Sequence, residues 1–193
     1  MLVDTGVVLT IEPGVAVQFA SGTVLQVNGT LVARGTSDNP IVFTSNQASP
    51  APGDWVYIFF ASSSTPATFD ADGNYTGGSV LEYCEVSYAG GAGSVAAVQT
   101  DSTGPLIDHC TIRDSATSGL RLYASNMRVR NSSIINNRQH GVSIKAGPLT
   151  FSNDTVSGNG ERGFYIDNYA GGRTTITNST IEDNAAEGIW VYN

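Results

Sequence analysis

The sequence predicts an all-β solenoid, because it repeats one apolar pattern every 22 to 25 residues. The repeat is clearest in the second half of the chain, where four apolar residues serve as reference points. These residues are Ile112, Ile134, Val156 and Ile181. Each is followed eight and ten residues later by one of four apolar pairs, and a glycine precedes each pair: Leu120/Leu122, Val142/Ile144, Phe164/Ile166 and Ile189/Val191. Apolar residues that alternate in short pieces, rather than at intervals of 3.6, predict strands.

Asparagine recurs beside the reference points and favours tight bends between the strands, because it tolerates left-handed backbone angles. The asparagines are Asn131, Asn153 and Asn178 before the reference points, and Asn136, Asn137, Asn159 and Asn184 after them. A chain that bends in this way and returns to register after about 22 residues forms stacked coils, whose equivalent strands lie about 4.8 Å apart in parallel sheets. We expect roughly seven or eight coils, a rod about 35 to 40 Å long.

The first part of the chain follows the same plan of short strands and turns. Residues 7–19 are predicted as two strands around a Pro13-Gly14 turn, and residues 23–33 as two more around Asn28-Gly29. A strand over residues 41–44 and an apolar run over residues 56–60 come next.

Between residues 61 and 79 the periodicity stops, and a polar loop or hairpin is expected to project from the coils. The coils resume with Val86 as the reference residue. Val95 and Ala97 are predicted as its apolar pair, one residue out of step with the later repeats.

The segment from Ile176 to Val191 reads Ile-x-Asn-x-x-Ile-x-x-Asn and then Gly-Ile-x-Val. This pattern resembles the right-handed parallel β-helix repeat of pectate-lyase-like proteins. The start of the chain is similar to family members too, with Thr-Ile-x-Pro-Gly at residues 10–14 and Gly-Asp-Trp at residues 53–55. The length of 193 residues predicts one domain, and the resemblance implies that this domain, residues 1–193, is a β-helix. It indicates fold better than function, since this architecture serves polysaccharide lyases and hydrolases, phage tailspikes, adhesins and surface stalks.

Charge and hydropathy narrow the classes of partner. The formal net charge is −8, with Lys145 as the single lysine, so there is no basic stripe to neutralise nucleic acid phosphates or an anionic membrane. No apolar run approaches the 18 residues that a membrane span requires.

The repeat also places the two cysteines. Cys84 and Cys110 each lie two residues before a reference residue, so they are predicted to point inward on adjacent coils. They form either a disulfide, which neighbouring parallel strands allow, or two stacked buried thiols.

Alternation along the strands places a row of side chains on the outer face of the sheet that holds the apolar pairs. This outward row consists of Arg121, Ser143, Tyr165 and Trp190, with Tyr123, Lys145, Asp167 and Tyr192 two residues further on. Its aromatic and charged members are a predicted binding surface for a glycan or another protein. The alternative is that these aromatic residues simply cover the sheet.

Acidic residues suggest two further sites, each with a structural alternative. The resemblance to lyases and hydrolases implies a catalytic role for one cluster of acidic and basic residues on adjacent coils. The alternative is that these residues form ordinary cross-strand ion pairs. This cluster contains Glu82, Glu85, Asp108, Arg113 and Arg130. The second site follows the spacing of a calcium loop at Asp70, Asp72 and Asn74, but no glutamate stands at the twelfth position, so a self-bonded turn is the alternative. Calcium is therefore the one cofactor that the sequence raises. His109 and His140 are predicted to lie at surface bends.

Uniform repeats and ends that resemble interior coils favour a non-catalytic extracellular module. In this hypothesis the chain is a β-helical rod of a larger cell-surface protein, or a subunit that stacks end to end into a filament, and its partners are copies of itself or neighbouring coils. The alternative is a carbohydrate-binding or polysaccharide-cleaving β-helix.

Overall fold

A computed structural model describes residues 1–123, 127–167 and 172–192. Within these ranges the chain forms 24 strands and no helix. Three parallel sheets of eight, seven and seven strands hold all but two of the strands, and each circuit of the chain visits the three sheets in turn. The protein is therefore a parallel β-helix of about seven coils, which confirms the predicted solenoid.

Each sheet takes every third strand of the coils. Sheet A contains β1 (Leu2–Val3), β4 (Leu25–Val27), β7 (Ile58–Phe60), β12 (Ala96–Asp101), β15 (Ser118–Tyr123), β18 (Val142–Ile144), β21 (Phe164–Asp167) and β24 (Ile189–Tyr192). Sheet B contains β2 (Val8–Ile11), β5 (Thr30–Arg34), β10 (Val80–Glu82), β13 (Leu106–Asp108), β16 (Met127–Arg130), β19 (Leu149–Ser152) and β22 (Thr174–Thr177). Sheet C contains β3 (Ala16–Phe19), β6 (Ile41–Ser45), β11 (Cys84–Ser87), β14 (Thr111–Arg113), β17 (Ser133–Ile135), β20 (Thr155–Ser157) and β23 (Thr180–Glu182).

The core consists of columns of identical or similar apolar residues, one from each coil. In sheet C, Val86, Ile112, Ile134 and Val156 are paired in register and fully buried. In sheet A the register joins Leu120 to Val142 and Val142 to Phe164, which are also fully buried. The reference points and apolar pairs of the sequence repeat thus form the inner surface. Burial of this surface is the main term that stabilises the fold.

The asparagines serve two different purposes. Asn131, Asn153 and Asn178 each occupy the first position of the two-residue bend between sheets B and C, with φ angles of 53°, 59° and 50°. Asn137 and Asn159, by contrast, are 1% exposed and form an internal ladder. The Oδ1 atom of Asn159 accepts from the Asn137 backbone N–H at 3.1 Å, and the Oδ1 of Asn184 accepts from the Asn159 N–H at 3.2 Å. The ladder meets the hydrogen-bonding needs of buried bends.

One predicted apolar pair is wrong. The sheet A register joins Val98 to Leu120 and Thr100 to Leu122, so Val98 and Thr100 continue the inner columns. Val95 is 43% exposed and belongs to the connection before β12. Twelve residues separate Val86 from Val98, against eight between the equivalent residues of the next coil, because a glycine-rich connection over residues 88–95 lengthens this coil.

Residues 61–79 contain an antiparallel hairpin that lies on the outside of sheet B. Its strands are β8 (Thr68–Phe69) and β9 (Tyr75–Gly77). The Arg128 guanidinium on β16 stands 3.8 Å from the Phe69 ring centre and donates to the Gly73 carbonyl at 3.2 Å. Val80 and Leu106 face outward beside Arg128, yet are at most 1% exposed. The hairpin therefore covers an apolar patch that alternation alone would leave on the surface.

Candidate functional site

The predicted outward row is present on sheet A. The register joins Arg121 to Ser143, Ser143 to Tyr165, and Tyr165 to Trp190, so these side chains project from one face on consecutive coils. Asp167 is likewise paired with Tyr192. The row is not uniform, because its two halves have different surroundings.

The first half of the row borders an open groove of about 260 Å³. The groove is lined by Phe59, Thr100, Asp101, Arg121 and Tyr123. Tyr123 is 45% exposed, and the Arg121 guanidinium carbon lies 6.0 Å from its ring centre. Asp101 lies beside Tyr123 in the register. Two aromatic rings, a cation and a carboxylate thus converge on one surface depression.

In the second half of the row, the rings of Tyr165 and Trp190 already have stacking partners, whereas Tyr192 is 57% exposed. The His140 imidazole lies parallel to the Tyr165 ring at 4.9 Å. The Arg162 guanidinium stands 4.8 Å from the Trp190 ring centre, and its Nε bonds Glu187 at 2.8 Å. Burial lowers the pKa of His140, although Glu161 opposes that effect.

Lys145 and Asp167 belong to this second half and are joined by a 2.9 Å hydrogen bond. The Lys145 Nζ also lies 5.4 Å from the Tyr165 ring centre. A ligand that stacks on Tyr165 or Trp190 must displace cations held by the ion pairs Lys145–Asp167 and Arg162–Glu187. At the groove, no ion pair is found for Arg121 among the described residues, and the Tyr123 ring is 45% exposed.

The predicted catalytic cluster is divided between two sheets. Glu82 and Asp108 are register partners in sheet B, whereas Glu85 lies on β11 of sheet C. Glu85 pairs with Arg113 at 2.8 Å, and Glu82 pairs with Arg34 on the preceding coil at 2.5 Å. These contacts are cross-coil ion pairs, the structural alternative that the sequence raised.

Asp108 has the most complete set of partners. It is 3% exposed, and its carboxylate oxygens accept from Arg130 Nε at 2.8 Å and Asn131 Nδ2 at 2.9 Å. Nδ1 of His109 lies 2.8 Å from the Asp108 Oδ1 atom. This set of donors matches a carboxylate that fixes a bend, since its lone pairs are directed at neighbouring side chains and not at the solvent.

The segment proposed as a calcium loop forms a self-contained turn at the tip of the hairpin. Asp70 Oδ1 accepts from the backbone N–H groups of Asp72 at 3.0 Å and Asn74 at 2.8 Å, and its Oδ2 accepts from Asn74 Nδ2 at 3.0 Å. The Asn74 side-chain amide is the largest cause that lowers the pKa of Asp70. The oxygens that calcium would need are occupied by the turn, and calcium binding here stays a prediction.

Cys84 and Cys110 point inward as predicted, each 2% exposed, and both are free thiols. Their column continues through Ser132, Asp154 and Ser179 on the next coils. The side chain on one coil accepts from the backbone of the coil before it: Cys110 N–H to Ser132 Oγ at 3.0 Å, Ser132 N–H to Asp154 Oδ1 at 2.8 Å, and Asp154 N–H to Ser179 Oγ at 3.1 Å. Burial is the largest cause that raises the pKa of Asp154, to about 6.

Sequence reasoning missed Phe59 and Asp101 as members of the groove. Phe59 lies in the apolar run 56–60, and its alternation with the buried Ile58 and Phe60 could have identified it as an outward residue. Asp101 could not have been found, since its place depends on the register that the lengthened connection changes. Across the described ranges, no cluster of three or more His, Cys, Asp or Glu is placed to hold a metal ion, and no helix is long and apolar enough to cross a membrane.

Comparison with known proteins agrees with this architecture. A family model described as a right-handed beta helix region matches residues 23–193. No curated protein and no solved structure gives a significant match. Stacked parallel sheets, inward apolar columns and this match over most of the sequence together show that the chain belongs to the right-handed β-helix family.

Proposed function

We propose that the chain is a non-catalytic structural module of the extracellular or cell-surface type, a β-helical rod that is extended by coils stacked on its end faces. The single observation that supports this proposal is that three ion pairs of the chain run between neighbouring coils. The ion pairs Arg34–Glu82, Arg130–Asp108 and Lys145–Asp167 each join neighbouring coils. Side chains capable of acid–base chemistry therefore serve to hold one coil on the next.

The end faces support the stacking part of the proposal. Ile189 and Val191 continue the inner columns of Phe164 and Ile166, yet they are 48% and 55% exposed. At the opposite end, an apolar groove of about 340 Å³ is lined by Met1, Leu9, Thr10, Ile11, Glu12, Val15 and Val17. A coil placed on either face buries this apolar surface and pairs the open strand edges. The occupant that we propose is a further β-helical coil, supplied either by a longer parent chain or by a second copy of this one.

Electron microscopy and intact mass, measured on material isolated from its source, test this proposal. About seven coils at about 4.8 Å each give a rise of roughly 35 Å per copy along a filament. Val191→Glu places a charge on the end face and is expected to abolish filaments. Thr150→Glu, on an exposed outer position of sheet B, adds the same charge and should leave them intact.

Other results of these experiments would contradict or change the proposal. Single rods of this mass at high concentration contradict stacking between copies. A heavier parent chain whose further coils cover the end faces instead makes these residues one segment of a longer surface rod. Release of products from any polysaccharide in a panel, lost on a substitution in the chain, contradicts the non-catalytic role. Protease digestion of intact source cells tests the external location, because a cell-surface rod is accessible from outside.

The groove on sheet A favours a second candidate, carbohydrate binding. Aromatic rings offer faces for sugar rings, and Asp101 and Arg121 offer hydrogen bonds to hydroxyl groups. Tyr123→Ala should abolish retention on a glycan array. Trp190→Ala should leave retention unchanged, because the Arg162 guanidinium already stacks on the Trp190 ring. If the unmodified protein retains no glycan, this second candidate fails, while the structural role stands.

A further inference from the structure

The two cysteines meet at one point of the interior column. Glu85 is the register partner of Thr111, so the residues just before them, Cys84 and Cys110, lie side by side on adjacent coils. Neighbouring parallel strands are about 4.8 Å apart, which falls within the range of about 4.4 to 6.8 Å between the Cα atoms of disulfide-bonded cysteines.

The thiols are in contact with each other and with the backbone. The Cys84 Sγ donates to the carbonyls of Ala33 at 3.5 Å and Glu82 at 3.4 Å, and the Cys110 Sγ to Leu81 and Asp108 at 3.3 Å each. A hydrogen bond with the Cys110 side chain is the largest cause that raises the pKa of Cys84, and burial raises it further. The Cys84 thiol is therefore protonated and slow to react at neutral pH.

A surface groove is bordered by Cys84, one member of this pair. It has a volume of about 240 Å³ and runs along the bend between sheets B and C. Cys84 lines the groove, together with Thr36, Ser37, Pro40, Tyr83, Glu85, His109 and Thr111. The groove therefore brings a small reagent against Cys84, although only 2% of the residue is exposed.

The coil that contains Cys84 has an insertion on each side of its strands β10 and β11. The hairpin of residues 61–79 precedes β10, and the lengthened connection of residues 88–95 follows β11, whose first residue is Cys84. Of the five residues named in this column, the later three are serine or aspartate and cannot cross-link.

We propose that Cys84 and Cys110 are a covalent modification site, at which a small two-electron oxidant joins adjacent coils through a disulfide. With diamide as the oxidant, the Cys84 thiolate adds to one nitrogen of the N=N bond. The Cys110 thiolate then attacks the Cys84 sulfur, forming the S–S bond and breaking the S–N bond. The two thiol protons end on the two nitrogens of the hydrazine product, so the protein is oxidised and the diazene reduced.

The experiment is diamide treatment of the folded protein, followed by removal of the reagent, alkylation under denaturing conditions and mass spectrometry. The expected result is loss of about 2 Da, no alkylated cysteine, and a peptide that contains both Cys84 and Cys110. The rate should rise with pH, because the thiolate is the nucleophile. The oxidised protein should unfold roughly 5 to 10 °C higher than the reduced protein, and dithiothreitol should reverse the shift.

Cys84→Ser and Cys110→Ser are matched controls, since serine occupies the same column at Ser132 and Ser179. Each variant should fold normally and show no increase in melting temperature with diamide. The proposal is overturned if the folded protein keeps both thiols while the unfolded chain forms the disulfide. Disulfides between separate chains, or reaction of Cys84 and Cys110 independently of each other, would overturn it as well.

Discussion

Replacement of Asn159 by leucine tests the internal ladder. The Asn159 side chain makes four hydrogen bonds: its Oδ1 accepts from Asn137 N–H at 3.1 Å and from Asn137 Nδ2 at 3.0 Å, and its Nδ2 donates to Ile134 O at 3.1 Å and to Asn184 Oδ1 at 2.9 Å. Leucine has a similar volume and no polar atoms. It leaves the Asn137 N–H and the Ile134 carbonyl without this partner inside the protein. At about 1 to 3 kcal/mol for each unmet buried group, the free energy of unfolding should fall by about 4 kcal/mol.

Urea titration followed by circular dichroism and by the fluorescence of Trp55, which is fully buried, measures this loss. Asn136→Gly is the control, since Asn136 is exposed with a φ of 55° and the next coil has Gly158 at the equivalent place, with a φ of 65°. That variant should change the free energy of unfolding by less than about 1 kcal/mol. A loss below about 1 kcal/mol for Asn159→Leu, with an unchanged urea dependence, would refute the reasoning that the ladder satisfies buried backbone groups.

Three further predictions concern other parts of the structure. Because burial raises the pKa of Asp154 to about 6, the folded protein binds this proton more tightly than the unfolded chain, and the stabilisation is lost as pH rises from about 4 through 6. The free energy of unfolding of Asp154→Ser, relative to that of the parent protein, should therefore rise by up to about 3 kcal/mol between pH 4 and 7.5 when measured in urea. Trp55→Phe removes the 2.8 Å bond from Nε1 to the Ser87 carbonyl and should cost about 2 to 4 kcal/mol in the same assay. Arg128→Ala removes the contact with Phe69 and should speed limited proteolysis within the hairpin without lowering the melting temperature of the coils.

Each of these predictions has a result that contradicts it. A difference between the parent protein and Asp154→Ser that is the same at both pH values would mean that the carboxylate titrates normally. Unchanged stability of Trp55→Phe would mean that the bond to Ser87 contributes nothing net. Equal cleavage of Arg128→Ala and the parent protein at the hairpin would assign the anchoring of that segment to other contacts.

The sequence determined the coil architecture and the inward residues, because a solenoid repeats its contacts at a constant interval along the chain. Ile112, Ile134 and Val156 are inward in the structure as the spacing predicts. The cysteines could be placed for the same reason, since their distance from a reference residue fixes the column in which they lie.

The tertiary structure decided what depends on connection length and on neighbouring coils. Asn136 and Asn137 are adjacent and chemically identical, but Asn136 is exposed at a bend and Asn137 is buried in the ladder. The longer connection before β12 moved the inner column from Val95 to Val98, and the same shift brought Asp101 to the groove. Local periodicity fixes which way a side chain points, whereas its neighbours across coils follow from register, which every insertion resets.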